Sequence, residues 1–269
     1  MLAGGTDLLV DLKSALNGPR IVIDISRVDE LKRMELADDA LRIGALVTHT
    51  DIMRSPLIRS LCPALADAAH TIGAVQTRNL GTLGGNLVTC VPSMDSGPAL
   101  LALDARVTIA GPNGRRELPL EAFFVGPRKT ALKGDELLVD IRIPRNNLRK
   151  PLAFLKFGLR KGQALALVNV AAGFWLDEGK QAFRAPCIAL GAVAPTVIRA
   201  RKAERYLEGR GISASAMAEA ARIAVTEAKP ISDFRASAAY RRELIEVLTR
   251  RALEQAYEGA RIVSEEAAA

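Results

Sequence analysis

Two glycine-rich segments near the amino terminus constrain this 269-residue chain more than any other feature. The first, Ala3-Gly4-Gly5-Thr6-Asp7-Leu8, runs directly into apolar positions at helical spacing, Leu8, Leu9, Leu12 and Leu16. Paired glycines let a chain adopt positive φ and let another group approach the backbone closely. The helix start behind them offers free N–H groups and the positive end of a helix dipole. With Leu2 entering the turn and the Thr6 hydroxyl adding a donor, the segment suits a phosphate or pyrophosphate. The competing reading is a tight turn before a helix that Thr6 and Asp7 cap and Asn17-Gly18-Pro19 ends.

The second segment is Asn79-Leu80-Gly81-Thr82-Leu83-Gly84-Gly85-Asn86. It fits neither the Walker pattern nor GxGxxG, since no glycine–x–glycine opens it and no lysine follows. A surface loop is the alternative here. Two such donor-rich loops in one small region favour a dinucleotide, which has two phosphates and long polar linkers to satisfy.

Around these loops the pattern is that of an α+β chain. Residues 21–25 (Ile-Val-Ile-Asp-Ile) read as a buried strand, 41–44 as a second, and 63–72 as a helix. The stretch 73–86 leaves little room for regular structure. Residues 106–110 and 115–118 flank Gly111-Pro112-Asn113-Gly114 as a hairpin, and 137–143 alternates as a strand ending at Pro144. The polar run after that proline divides the chain into residues 1–147 and 151–257, with a tail at 258–269 whose last six residues are expected to be disordered. Beyond the boundary, 153–157, 166–176 and 188–193 read as antiparallel strands, with a turn at 177–180. Segments 198–207, 215–228 and 238–257 read as helices.

Composition narrows the function classes. A net charge of +7 suits an anionic cofactor or an acidic partner surface, but aromatics make up only 4%, too few to build base-stacking platforms, so no nucleic-acid partner is expected. Cys62, Cys90 and Cys187 are far apart and form no CxxC pair, which argues against a zinc or iron–sulfur site held by this chain and suits reduced cytoplasmic thiols. The longest apolar run, 164–176, is interrupted by Asn169 and too short to span a bilayer, so no membrane insertion is expected. No basic-then-apolar leader is visible at the start.

Single residues are less decisive. Asp95, in Val91-Pro92-Ser93-Met94-Asp95-Ser96-Gly97-Pro98, could accept hydrogen bonds from ribose or ribityl hydroxyls or simply form an Asx turn. Lys156 alternates with Leu155 and Phe157, and by periodicity faces solvent. His70 reads as a packing residue on a helix, and His49 as part of the turn before Thr50-Asp51. Neither assembles a catalytic constellation, and no catalytic residue is assigned.

The segments "AGGTDLLVDLK" and "IGAVQTRNLGTLGGNLVTCVPSMDSGPALLALDARV" resemble the flavoprotein subunit of the xanthine dehydrogenase and carbon monoxide dehydrogenase family. "KGDELLVDIRIP", "AFLKFGLRKGQALALVNVAAGF" and "DFRASAAYRRELIEVLTRRAL" extend the likeness over nearly the whole chain. The resemblance implies an FAD-binding domain of the vanillyl-alcohol-oxidase type, then a smaller sheet-plus-helices domain. It implies that Leu2, Ala3, Gly4, Gly5, Thr6, Asp7 and Leu8 hold the FAD diphosphate, that Thr82, Leu83, Gly84, Gly85 and Asn86 add contacts, and that Asp95, Leu138, Lys156 and either Ile72 or Gly73 also touch FAD. It further implies electron transfer between FAD and two partners, a small [2Fe–2S] subunit and a large molybdopterin subunit, in a cytoplasmic dimer of heterotrimers.

Three departures qualify it. Family members carry a strand–helix–strand stretch before the first loop, so a segment upstream of Met1 is expected. The cysteine-rich cluster insert of the 4-hydroxybenzoyl-CoA reductase branch is missing between Asn86 and Pro92. The acidic–aromatic or acidic–aliphatic pair that the family often places after the arginine following the Lys156 strand has no counterpart in Arg160-Lys161-Gly162-Gln163-Ala164-Leu165, which holds no acidic residue, so contacts to the isoalloxazine edge do not carry over.

Overall fold

The computed structural model describes the chain except residues 15–18, 20, 178 and 269, together with side chains at 262–269. The expected end of the first helix therefore lies outside the described residues. Helix α1 spans Leu8–Ser14 and buries none of its residues. A short antiparallel pair follows, β1 (Met34–Leu36) and β2 (Ala40–Gly44), then three helices: α2 (His49–Arg54), α3 (Pro56–Leu61) and α4 (Pro63–His70). Their boundaries follow from caps. Thr48 and Asp51 form a reciprocal capping box, Ser55 accepts from the Ile58 amide, and prolines open α3 and α4, where a missing N–H costs nothing.

The glycine-rich stretch is more regular than its composition suggests. It contains α5 (Val75–Leu80) and α6 (Leu83–Thr89), with Thr82 as N-cap of α6 accepting from the Gly85 amide at 3.0 Å. In α6 cap chemistry overrides the low helix propensity of Gly84 and Gly85, whereas α5 contains no glycine and lies between Gly73 and Gly81. Helix α7 (Ser96–Ala102) is wholly buried. The hairpin forms as β3 (Arg106–Gly111) and β4 (Gly114–Pro119). After α8 (Leu120–Phe123) and the minor pair β5 (Phe124–Gly126) and β6 (Lys129–Thr130) comes β7 (Leu137–Pro144). The main sheet of this half is antiparallel with order β1-β2-β7-β3-β4.

The second half forms an antiparallel sheet, order β11-β10-β9-β8, from β8 (Leu152–Gly158), β9 (Ala166–Asp177), β10 (Ala182–Gly191) and β11 (Ile198–Arg199). Residues 198 and 199 are thus strand rather than helix, and α9 begins at Arg201 (Arg201–Leu207). Helices α10 (Ala214–Glu227) and α11 (Ala238–Ala268) complete it. Helix α11 runs through the expected tail, so no change of backbone marks residue 258. Leu244, Ile245, Leu248, Ala252, Leu253 and Ala256 form its buried stripe at helical spacing. Each buried leucine or isoleucine contributes about 1.5–3 kcal/mol.

This sheet is covered on both faces. Ala153, Val168, Val170 and Ala172 pack against α9, α10 and α11, whereas Leu152, Phe154 and Ala171 join the core of the first half. Arg199 ties the halves together. Buried at 7% exposure, it pairs with Glu204 and donates to the Leu101 carbonyl at 3.0 Å and to Asp104 at 2.7 Å.

One expected strand fails. Ile21, Val22 and Ile23 are 78%, 41% and 54% exposed, and the segment's only ladder contact among the described residues is an isolated parallel bridge from Asp24 to Leu2. An apolar run predicts burial only where a partner sheet covers it.

Candidate cofactor-binding site

The two glycine loops, about 75 residues apart in sequence, lie against one another. Loop one is pinned at its start: the Leu2 amide donates to the Ile23 carbonyl (2.8 Å) and the Ile25 amide to the Leu2 carbonyl (2.9 Å). Gly4 then packs so closely on loop two that a Cβ there would sit 1.7 Å from the Leu80 carbonyl oxygen. Gly5 has φ +72°, which a side chain resists. Between them they open a cleft of about 480 Å³, within the range of small-molecule sites.

The loops divide the work. Among the described residues, the backbone N–H groups of Ala3, Gly4, Gly5, Thr6, Asp7 and Leu8 donate to nothing in the chain; helix bonding begins with Leu9 to the Gly5 carbonyl (3.0 Å). Nor do Thr6 and Asp7 make the side-chain cap expected of them. In loop two the amides from Leu83 to Asn86 are already spent: Leu83 on Val47 (2.9 Å), Gly84 on Ala45 (2.9 Å), Gly85 on the Thr82 hydroxyl and Asn86 on the Thr82 carbonyl (3.0 Å). Loop one therefore presents an anion-binding nest, and loop two is its rigid wall. A row of unpaired amides at a helix start fits a diphosphate, so the residues present suit the dinucleotide expected.

Ala3, Gly4, Gly5, Thr6, Asp7, Leu8, Ile72, Gly73, Thr82, Gly85, Asn86 and Asp95 line the cleft. Leu2 stands just behind it in the bridge to Asp24. Leu83 and Gly84 are buried beneath, with Gly84 against Ala45, where a Cβ would meet the Ala45 Cβ at 2.6 Å. Leu138 is a core residue of β7 paired with Ile109, and its side chain is not on the cleft wall. At the rim, Arg128 on the β5–β6 turn pairs with Asp11 of α1.

Lys156 overturns its periodicity. It shares the face of β8 that carries Leu152 and Phe154 into the first core, so its side chain is 9% exposed. It pairs with Asp95 and donates to the Thr71 carbonyl at 3.0 Å. The other Asp95 oxygen accepts from Asn169 at 2.8 Å, and Asn169 also donates to the Met94 carbonyl at 3.1 Å. Burial pushes the Asp95 carboxyl above its ordinary range, and the Lys156 ammonium opposes that shift. Asp95 therefore does not make the free Asx turn weighed for it but is held at the cleft floor by a lysine and an amide. Asn169 was detectable in sequence as the single polar break in an apolar strand; the Thr71 carbonyl that accepts from Lys156 leaves no such trace.

Comparison with known proteins agrees with this geometry. Residues 1–146 match the FAD-binding domain found in molybdopterin dehydrogenases, and residues 153–256 match the carbon monoxide dehydrogenase flavoprotein C-terminal domain. The chain is 33% identical over 258 residues to a putative xanthine dehydrogenase FAD-binding subunit of Escherichia coli, covering 95% of this chain and 88% of that one. It is 32% identical to the carbon monoxide dehydrogenase medium chain of Hydrogenophaga pseudoflava, covering 96% and 88%. A solved carbon monoxide dehydrogenase from that organism superposes with a TM-score of 0.91 at 32% identity, covering 96% and 89%. Quinoline 2-oxidoreductase from Pseudomonas putida 86 gives a TM-score of 0.89 at 32% identity, with the same coverage.

Fold and cleft thus define an FAD-binding flavoprotein. The chain belongs to the FAD-binding subunit family of the molybdenum hydroxylases, the family of the xanthine and carbon monoxide dehydrogenases, and is an oxidoreductase subunit.

Proposed function

We propose that this chain carries electrons between the [2Fe–2S] clusters of a small partner subunit and an external acceptor, serving a large molybdopterin subunit in a cytoplasmic dimer of heterotrimers. The observation that carries this reading is the nest of six unspent amides in loop one, backed by a wall whose amides from Leu83 to Asn86 are already used. Bound FAD supplies the redox chemistry, since flavin exchanges electrons singly or in pairs. The chain's residues bind and orient it. Loop one takes the diphosphate, Thr82, Gly85 and Asn86 add polar contacts, and Asp95 accepts from the cofactor's hydroxyls. Lys156 fixes Asp95 in place from below. Leu83, Gly84 and Leu138 support the wall from within the core.

Neighbouring assignments follow. Residues 1–147 form the cofactor domain and 151–257 the second domain, with Arg199 and the Lys156–Asp95–Asn169 cluster as polar ties between them. Three buried free thiols suit a reducing compartment, and no helix among the described residues is long and apolar enough to cross a membrane. The excess of basic residues favours docking on acidic partner surfaces.

Co-expression with the partner genes, followed by anaerobic addition of the molybdenum subunit's substrate, tests the relay. Bleaching of the visible flavin band only in the assembled complex is expected. Flavin reduced equally well by substrate in the isolated chain would overturn the relay and favour a stand-alone oxidase.

A further inference from the structure

His49 opens α2 and is only 2% exposed, yet it lies on the cleft wall. Its backbone N–H donates to the Gly81 carbonyl at 3.1 Å. Its ring Cδ2 stands 3.4 Å from the point where a Gly81 Cβ would be, and the Thr6 hydroxyl oxygen stands 3.5 Å from that same point. The imidazole and the Thr6 hydroxyl of loop one thus both abut Gly81 of loop two.

Among the described residues the ring finds no hydrogen-bond partner, and Nδ1 is sealed in without one. Close by, Arg78 of α5 donates through Nη1 to the Ile72 carbonyl at 2.9 Å, and its own Nε is likewise buried and unpartnered. Burial, and then the Arg78 charge, push the His49 imidazole down to about 4, so the ring holds a single proton at neutral pH. Placed on Nδ1, that proton would be a sealed N–H with no acceptor, the costlier kind of orphan. Placed on Nε2, it leaves only a bare lone pair inside and makes the other nitrogen a donor.

We propose that His49 is a further cofactor-binding residue: its ring, protonated on Nε2, donates that N–H to a diphosphate oxygen of FAD, alongside Thr6 and the amides of loop one. This rests on the reading that the cleft holds FAD. A donor inside the wall, fixed by α2 and by the Gly81 carbonyl, adds to the nest without bringing a second full charge into a buried site. It also gives the otherwise unsatisfied ring a function.

The test is titration of the flavin-stripped full-length chain with FAD and with ADP, which carries the diphosphate without the flavin. His49→Phe keeps a buried ring and removes both nitrogens; it should weaken both ligands on the order of ten- to a hundredfold. His49→Gln places an amide donor near the Nε2 position and should stay within about threefold of wild type. A His49→Phe chain that binds FAD and ADP as wild type does would overturn the inference while leaving the FAD reading intact. A wild-type chain that binds neither would overturn both. If the phenylalanine variant misfolds, nitrogen-15 NMR of the wild-type holoprotein decides. A proton on Nε2 coupled through a hydrogen bond to FAD phosphorus supports the inference, and a proton on Nδ1 refutes it.

Discussion

Gly4→Ala is the sharpest perturbation the site offers. The added Cβ would meet the Leu80 carbonyl oxygen at 1.7 Å, half the 3.4 Å at which ordinary contact begins, and the Leu80 carbonyl carbon at 2.5 Å. Both obstacles are backbone, so the loops must part. Overpacking of this kind costs about 1–3 kcal/mol. Because loop one is pinned only at its start and α1 behind it buries none of its residues, the cost falls on the loop's position rather than on global stability. The amides of Ala3 through Leu8 then move off their alignment, and FAD affinity should fall roughly five- to 150-fold. The reason differs from simple phosphate crowding: the methyl group points at loop two. Gly5→Ala is milder. Its φ of +72° strains alanine, but its Cβ meets only flexible leucine side chains at 3.0 Å, so about 1 kcal/mol and roughly fivefold are expected. Fluorescence titration of the stripped variants with FAD, alongside thermal melts, measures both quantities. Wild-type affinity in Gly4→Ala, or a larger loss in Gly5→Ala, would refute the inter-loop argument.

Other perturbations separate wall from nest. Gly84→Ala drives a methyl group into Ala45 at 2.6 Å in the core and should lower the melting temperature by several degrees without added FAD, as differential scanning calorimetry would record. Lys156→Met strands the Asp95 carboxylate under the cleft, a loss of about 3–5 kcal/mol by denaturant titration at about neutral pH; the deficit should shrink in acid as Asp95 takes up a proton. His49 has a folded pKa of about 4 against an ordinary 6.5, so below 6.5 the unfolded chain binds more protons. Its contribution is whole above pH 6.5 and is lost as pH falls toward 4, about 3 kcal/mol in all; the pH dependence of unfolding should flatten in His49→Gln relative to wild type.

Much of this was legible in the sequence because loops that bind phosphate need glycine for backbone reasons, and those residues stand out in any context. Gly4, Gly5 and Gly85 mark the cleft by residue type and spacing alone. The hairpin at Gly111–Gly114 and the strand ending at Pro144 were equally clear, since turn chemistry and proline act locally. What failed was non-local. Lys156 looked solvent-facing because period two says only that neighbours point oppositely, not that both faces are covered. Residues 21–25 looked buried because an apolar run does not disclose whether a sheet lies over it. Helix α5 was hidden by the glycines on either side of it and α6 by those inside it, and only the Thr82 cap betrays the second of them. His49 was missed because its value lies in an unpaired nitrogen, which appears only when its surroundings are assembled.

The central claim is that this chain carries FAD in the cleft between its two glycine loops. The direct measurement is the flavin content of the native complex, paired with the same measurement on Gly4→Ala. One FAD per chain, released on denaturation and largely absent from the Gly4→Ala complex when both assemble to the same extent, is the predicted result. A complex that assembles without flavin, or one whose FAD content is indifferent to Gly4, would contradict it.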